Sequence, residues 1–381
     1  MFFYEVLLSQ KIPSEVLTYK SELELNQGRL VQVPLRNKPC FGVILHKLEN
    51  ANFEIEKTKE ISEILPYNFT TQQLKLIKIV AQNTFNSINI VFDAFLQPLK
   101  LLTKKDWIKL LDIFETARKS LDNRNTSIKA DLTANTTKPE YYIEIDILVR
   151  IIYIIRSQIS IINPKALYNQ DNSDSNLQNP NSEFKATNLP VQILIVFPEK
   201  KLLDKIFSNL KNNSDFNNLI FNSDFEILQF SGDVSAKSKN CIRELLNSTK
   251  SQIIFGTRSS LFLPFSNLKQ IIVVDEANSF YIQEQNSLYY DARDLAFLTS
   301  SVLGAKLDFV STLPSSRLHN FYSKKLLDTN TLDIATNNTK PLKIQISQRN
   351  LKNDHFKLFS DVVETAITGN DTNMGYFESQ D

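Results

Sequence analysis

The sequence contains very little glycine, and this scarcity excludes one common nucleotide-binding loop. Its 381 residues include only seven glycines: Gly28, Gly42, Gly232, Gly256, Gly304, Gly369 and Gly375. The phosphate-binding loop G-x-x-x-x-G-K-[ST] requires two glycines five positions apart, followed by lysine. No two of the seven have that spacing. The sequence therefore lacks this loop.

The sequence also contains few cysteines and carries almost no net charge. Cys40 and Cys241 are the only cysteines, and no C-x-x-C pair occurs. Their separation argues against a zinc ribbon or a disulfide framework and fits a reducing cytosol. The three histidines show no ligand spacing, so we expect no metal site. With a net charge of +1, any DNA binding must come from local patches rather than from a global field.

Long apolar runs are missing as well. The run Ile147–Ile155 is interrupted by Arg150 and falls short of the roughly 20 residues that cross a bilayer. The amino terminus carries Glu5 within its apolar start, unlike a signal peptide. We therefore expect a cytoplasmic protein without a membrane partner. The length and the hydrophobic content of 42% predict two or three globular domains.

The residues best suited to binding phosphate or Mg²⁺ lie in one stretch of the sequence. The apolar runs Ile253–Phe255 and Ile271–Val274 are typical of buried parallel strands. The first leads into Gly256-Thr257-Arg258, whose hydroxyl and guanidinium suit phosphate oxygens. The second leads into Asp275-Glu276, the position at which an NTPase holds a Mg²⁺-organising carboxylate and a water-polarising neighbour.

Longer motifs around this stretch resemble the primosomal replication-restart helicase family. Residues 256–265 read G-T-R-S-S-L-F-L-P-F, almost identical to a motif of that family. Residues 275–278 read D-E-A-N where the family has D-E-E-H, and residues 281–283 read Y-I-Q where it has Y-K-Q. Residues 289–294 and 311–315 are similar to its R-Y-H-A-R-D and S-A-T-P-S segments.

The resemblance implies an α/β fold in which a small β-rich DNA-binding domain precedes a RecA-like parallel-sheet helicase lobe. We predict the β-rich domain at residues 1–98, a helical linker at 99–132 and the lobe at 133–335. A disordered insertion is expected at 169–188, because that segment is rich in Asn, Ser and Asp. Residues 336–381 are expected to begin a truncated second lobe.

Local patterns predict several individual elements. Alternation predicts strands at Phe2–Leu8, Val16–Tyr19, Arg29–Leu35 and Phe41–Leu45. Thr70 and Gln73 form a capping-box pattern that opens a helix. Trp107 lies on a helical apolar stripe and is expected to pack rather than to stack on bases. Residues 230–233 read F-S-G-D and are similar to the H-S-G-L of the family, without its histidine and leucine.

The family recognises the 3′ end of a DNA strand with its N-terminal domain, and three residues of its pocket can be compared. Thr18 stands at the position of the pocket's acid, and Arg36 replaces a glycine. Lys59 retains the family's lysine. The resemblance therefore implies contact with phosphate more than recognition of the 3′-hydroxyl. The alternative that Arg36 and Lys59 are solvated surface charges stays open.

The same comparison places the family's nucleotide loop G-S-G-K-T on residues 135–139, which read N-T-T-K-P. Only Lys138 survives from that loop, and Pro139 removes both a hydroxyl and an N–H group. We therefore expect no cofactor, and Asp275, Glu276 and Lys138 are interpreted as remnants of a catalytic site. ATP and Mg²⁺ belong to the alternative that the chain is an active helicase.

These observations predict a replication-restart protein that binds forked DNA through Thr18, Arg36, Lys59, Thr257 and Arg258, without ATP hydrolysis. Its expected partners are DNA with a 3′ end and primosome or replication proteins. One alternative is an ATP-dependent 3′-5′ helicase, and another is a scaffold for primosome assembly. Asp275 and Glu276 have a structural alternative too, in which they pair with Arg258 or Arg293. Phe280, Tyr281, Tyr289 and Tyr290 are expected to pack around the loop rather than to stack on bases.

Overall fold

The computed structural model describes residues 1–48, 58–112, 140–143, 147–162, 190–223, 225–284, 288–312, 315–324 and 328–331. Lys138 and residues 336–381, the expected start of a second lobe, lie outside this range, as does the predicted insertion at 169–188. Within the described residues, no helix combines the length and the apolar character that a bilayer crossing requires.

The chain begins with a five-stranded antiparallel sheet. Its strands are β1 (Phe2–Leu8), β2 (Val16–Ser21), β3 (Arg29–Leu35), β4 (Lys38–Leu48) and β5 (Glu63–Asn68), in the spatial order β2-β1-β4-β3-β5. The alternation of apolar residues predicted the bounds of β1 and β3, whereas β2 and β4 are longer than expected. The prediction of a β-rich N-terminal region is therefore confirmed.

The two edges of this sheet meet and form a small barrel. The N–H of Lys20 in β2 donates to the carbonyl of Lys59 at 3.0 Å, and the N–H of Ile61 donates to the carbonyl of Lys20 at 2.9 Å. Lys59 and Ile61 lie just before β5, the opposite edge strand. The Tyr19 hydroxyl donates to the carbonyl of Pro34 in β3 at 3.3 Å. We call this junction of β2 with residues 58–62 the barrel seam.

Two tight turns depend on residues with positive φ. Gly28 has φ 87°, and a Cβ atom there would lie 2.0 Å from the carbonyl oxygen of Phe69, so only glycine fits. Arg36 and Asn37 have φ of 48° and 65° and join Leu35 to its cross-strand partner Lys38. Positive φ at both central residues is the type I′ hairpin geometry. This conformation favours the glycine that the family has at position 36.

Helices connect the barrel to the rest of the chain. Helix α1 (Thr71–Thr84) begins with the predicted capping box, in which Thr70 and Gln73 exchange hydrogen bonds of 3.1 and 2.8 Å. Gln73 also donates from Nε2 to the carbonyl of Phe265 at 3.1 Å. Helix α2 (Ile88–Leu96) follows, and residues 104–112 form helix α3. Gln73, the second residue of this capping box, thus contacts the second half of the chain directly.

The second half is built on a parallel sheet. Its strands, in the spatial order β14-β6-β13-β10-β7-β9-β8, are β6 (Glu140–Ile143), β7 (Gln192–Phe197), β8 (Phe225–Phe230), β9 (Ser251–Thr257), β10 (Leu268–Val274), β13 (Lys306–Ser311) and β14 (Asp328–Thr331). Each neighbouring pair is parallel. A short antiparallel ribbon joins β11 (Ile282–Gln283) to β12 (Tyr290–Asp291). The predicted α/β class, with a parallel-sheet lobe after a β-rich domain, is confirmed.

Helices cover both faces of the parallel sheet. They are α4 (Ile147–Ile162), α5 (Lys200–Lys211), α6 (Ser214–Ser223), α7 (Ala236–Asn247), α8 (Ala292–Leu303) and α9 (Ser316–Ser323). On one face, α4, α5 and α6 pack on alternate residues of β7 such as Ile193 and Ile195. On the other face, Leu194 and Val196 belong to a core that also contains α1, α2 and the outer barrel residues Leu7 and Leu30. The barrel and the parallel sheet therefore share one hydrophobic core.

An ion pair adds to this shared core. The Nε and Nη2 atoms of Arg243, in α7, donate to the carboxylate of Asp106, in α3, at 2.8 and 3.1 Å. The same carboxylate accepts from the N–H of Thr103 at 2.8 Å and so caps α3. Burial opposes ionisation of Asp106, but the bonds from Arg243 and Thr103 outweigh it and lower its pKa from 3.8 to about 2. The pair therefore fixes α3 on the lobe.

We predict that this ion pair makes stability depend on pH in the acid range. Because the folded pKa of Asp106 is depressed, its contribution is present above the unfolded value and is lost as the pH falls from about 4 to 2. Asp106→Asn should lower the free energy of unfolding by about 1 kcal/mol at neutral pH. The variant should also lose less stability than the wild type between pH 4 and pH 2. Urea unfolding across that window measures both effects.

The matched control for this experiment is Asp215→Asn, which removes an exposed carboxylate from α6. Asp215→Asn should keep the acid-range loss of stability that the wild type shows. Equal pH dependence in the two variants would contradict the role assigned to Asp106.

Candidate functional site

The barrel seam brings together two of the three residues predicted to meet a DNA strand end. Thr18 is half-buried in β2, and Lys59 is exposed on the segment that bonds to Lys20. Thr18 and Lys59 therefore both lie at the seam, although 41 residues of sequence separate them. Arg36 lies in the turn between β3 and β4.

Lys20 is a further cation at the seam that the sequence comparison did not single out. It lies two positions after Thr18 in β2, so the two side chains are on the same face of the strand. Its backbone makes both hydrogen bonds that close the barrel. In the sequence, the alternation of side chains along β2 identifies Lys20, because it places Lys20 on the same face as Thr18. The seam therefore carries Lys20 and Lys59 close together.

A second group of predicted residues lies at the carboxyl edge of the parallel sheet. Thr257 ends β9 and is buried, with its hydroxyl 3.4 Å from that of Ser259. Arg258 follows it, and its Nη1 atom donates to the carbonyls of Phe280 and Ile282 at 2.6 and 2.8 Å. Arg258 therefore holds the loop that follows β10. The proposed contact of Thr257 and Arg258 with DNA stays a prediction.

Asp275 is held in a strained turn at the end of β10. It has φ 55°, a left-handed conformation that favours glycine. Its N–H donates to the carbonyl of Val310 at 2.7 Å, and its Oδ2 atom accepts from Asn278 at 3.0 Å. Asn278 stands at the position of the family's histidine. The local bonds of Asp275 therefore join β10, β13 and the following turn.

Glu276 is buried and serves as a structural acceptor. Its carboxylate accepts from the N–H of Ser315 at 3.2 Å and from the Ser315 hydroxyl. Burial raises its pKa, against the opposing effect of the Ser315 bonds. Arg293 donates to the Glu276 carbonyl at 2.9 Å and forms its ion pair with Asp291. Arg258 bonds the loop carbonyls, and Arg293 acts on the Glu276 carboxylate through space.

Tyr281 occupies the crevice at the centre of this edge. Open parallel sheets bind ligands outside the strand ends where the chain connections diverge, and here they diverge between β7 and β10. The buried Tyr281 hydroxyl lies 2.8 Å from the carbonyl of Val196 and 2.5 Å from that of Val274, at the ends of these two strands. The protein thus fills this crevice with its own phenol. The expected packing role is confirmed for Tyr281 and Tyr290, which are buried, whereas Phe280 and Tyr289 are exposed.

The predicted remnant of a nucleotide loop precedes β6. Lys138 lies outside the described residues, and β6 begins after it, at Glu140. The interpretation of Lys138 as a remnant therefore stays a prediction.

A cleft of about 540 Å³ opens beside Thr257 and Arg258. Helix α2 contributes Asp93 and Gln97 to one side, and the loop after β8 contributes Ser231 and Gly232 to the other. The cleft is therefore a concave surface with a cation and several hydroxyls, formed jointly by the helix after the barrel and by the parallel-sheet lobe.

Comparisons with known proteins agree with this geometry. Residues 5–97 match the PriA family described as "3'DNA-binding domain (3'BD)", which covers the barrel, α1 and α2. The "Replication restart protein PriA" of Rickettsia conorii is 26% identical over 311 residues, or 78% of this chain. That of Helicobacter pylori strain J99 is 25% identical over 328 residues, or 85% of this chain. The chain is similar in sequence to proteins named replication restart protein PriA.

The similarity to replication restart proteins is uneven along their length. The chain spans 41% of the Rickettsia conorii protein and 45% of the Helicobacter pylori protein. The Haemophilus influenzae replication restart protein is 44% identical over 68 residues, 18% of this chain. A solved structure of S. cerevisiae Dbp5 bound to RNA and ADP BeF3 aligns with a TM-score of 0.31 at 11% identity, over 52% of this chain and 42% of that one. The relationship therefore rests on the sequence and not on that structure.

We predict that removing the Tyr281 hydroxyl destabilises the lobe. Tyr281→Phe leaves the buried carbonyls of Val196 and Val274 without this donor, and an unsatisfied buried polar group costs about 1–3 kcal/mol. Urea unfolding measures the change in free energy. Tyr289→Phe is the control, because its ring is exposed and the change should stay within about 0.5 kcal/mol. Equal effects of the two substitutions would show that the Tyr281 hydroxyl contributes nothing specific.

Proposed function

We propose that this chain is a replication-restart protein that binds branched or forked DNA with a 3′ end and does not hydrolyse ATP. The observation that carries the proposal is the barrel, which matches a 3′-DNA-binding family over residues 5–97 and groups cations at its seam. Thr18, Lys20, Arg36 and Lys59 are the proposed contacts for the strand end. Lysine and arginine bind phosphates without regard to sequence, which suits a fork-binding protein.

Thr257 and Arg258 are the proposed contacts for a second part of the strand, in the cleft. The Nη1 atom of Arg258 bonds the loop carbonyls, so its Nη2 and Nε atoms are the donors that we assign to a phosphate. The proposed partners are DNA and other replication proteins.

Two observations support the proposal that no ATP or Mg²⁺ is used. The sequence has no glycine pair with the spacing of a phosphate loop. Residues 135–139 read N-T-T-K-P where the family has G-S-G-K-T, so only the lysine of that loop is retained.

Two other functions remain as alternatives. An ATP-dependent 3′-5′ helicase is favoured by the relationship to replication restart proteins and by the retained Asp275 and Glu276. A non-catalytic scaffold for primosome assembly is favoured by the net charge of +1. Each alternative predicts a different response to DNA, salt and nucleotide.

The first experiment measures binding to a fork with a 3′ end at the branch, at 50 and 200 mM salt, with and without ATP and Mg²⁺. We expect binding that weakens with salt, because phosphate contacts release counterions, and that does not change with ATP. ATP turnover or ATP-dependent binding would favour the helicase. No binding at 50 mM salt would favour the scaffold. Forks ending in a 3′-hydroxyl and a 3′-phosphate should bind within about twofold of each other, because the proposed contacts are to phosphates.

We predict that Lys59 contributes one phosphate contact. Lys59→Met should weaken fork binding equally for different sequences and should reduce the slope of log affinity against log salt by about one. The control is Lys78→Met, which removes the same charge from an exposed position of α1. If both variants bind as the wild type does, the seam is not the DNA site, and the open alternative of a solvated surface charge is correct.

A further inference from the structure

Three donors converge on the carboxylate of Asp233, in the loop between β8 and α7. Lys200 Nζ, at the start of α5, lies 2.7 Å from Oδ2. The hydroxyls of Ser231 and Ser238 donate to Oδ1 at 2.9 and 3.0 Å. The ion pair with Lys200, together with the serine hydroxyls, lowers the pKa of Asp233 well below its usual range. The loop thus builds an anion site from one ammonium and two hydroxyls, and its own aspartate occupies it.

This arrangement is more elaborate than a surface ion pair. A single exposed pair of lysine and aspartate contributes little to stability and needs no hydroxyls. The two side chains remain 57% and 40% exposed, so an anion from solution can reach the cation. Asp233 also stands where the family has leucine, in the motif H-S-G-L. Asp233, the occupant of the site, is therefore a departure from the family motif, whereas the donor Ser231 is retained from it.

The anion site adjoins the cleft that holds Thr257 and Arg258. Ser231 and Gly232 line that cleft. Gly232 has φ 76°, and a Cβ atom there would lie 2.3 Å from the hydroxyl of Ser259. The loop therefore packs directly on the turn that carries Arg258. A strand that lies in the cleft would pass close to Lys200.

We propose that Lys200, Ser231 and Ser238 form a phosphate-binding site for the DNA strand, and that Asp233 occupies this site until the strand displaces it. The proposal rests on the proposed DNA-binding function. A phosphodiester carries one negative charge over two oxygens, as a carboxylate does, and the same ammonium and hydroxyl donors satisfy either group. Binding a phosphate here therefore exchanges one anion for another and leaves Asp233 to solvent.

The test uses Asp233→Asn in the full chain. Asparagine keeps an acceptor for the two serines but releases Lys200 from its ion pair. We expect fork DNA to bind several-fold more tightly than to the wild type, with a salt slope steeper by about one, because one more phosphate is neutralised. Inorganic phosphate should also raise the thermal unfolding midpoint of this variant more than that of the wild type. Lys200→Met, added to Asp233→Asn, should abolish both gains.

The matched control is Asp204→Asn, one turn further along α5 from Lys200. It changes the net charge equally and removes an acid that acts on Lys200 through space, but it leaves the Asp233 bonds in place. Equal gains in the two variants would overturn the proposal, since a general charge effect would explain them. A loss of stability in Asp233→Asn without either gain would also overturn it and assign Asp233 to structural support of the loop.

The two binding measurements separate this proposal from the proposed function. If inorganic phosphate stabilises Asp233→Asn selectively but no variant binds fork DNA, the anion site stands as a site for phosphate, its assignment to a DNA strand is overturned, and the proposed function fails. If the wild type binds fork DNA but neither measurement distinguishes Asp233→Asn from Asp204→Asn, the proposed function stands and the site is overturned.

Discussion

The hydrogen bonds of the Tyr281 phenol with the carbonyls of Val196 and Val274 organise the carboxyl edge of the parallel sheet. They join the ends of β7 and β10 where an open α/β sheet has its ligand crevice. Arg258 bonds the residues on both sides of Tyr281 and so keeps the ring in place. Asp275 and Glu276 begin the same loop, immediately after the end of β10 at Val274.

The second constraint is the core that the barrel shares with the parallel sheet. Outer barrel residues, α1, α2 and one face of the sheet belong to one apolar cluster. The bond from Gln73 to Phe265 and the ion pair of Asp106 with Arg243 add polar contacts between the same parts. The barrel seam and the cleft at Arg258 are therefore held on one body.

Several departures from the replication restart motifs lie where the structure shows local contacts. Tyr281 keeps the family's tyrosine and is buried. Asn278 stands in place of the family's histidine and bonds Asp275. Asp233 stands in place of its leucine and binds Lys200. Arg36 stands in place of its glycine at a positive φ that favours glycine, so the turn geometry does not account for that replacement.

The sequence by itself determined the local elements of this protein. The bounds of β1 and β3, the capping box of Thr70 and Gln73, and the two buried strands before Thr257 and Asp275 all follow from short-range patterns, because side-chain alternation and capping bonds act over a few residues. The tertiary structure decided which residues share a site. Tyr281 meets Val196 across 85 residues, Asp233 meets Lys200 across 33, and the seam joins Lys20 to Lys59. Such contacts depend on strand order and on the closure of the barrel, which no local pattern encodes.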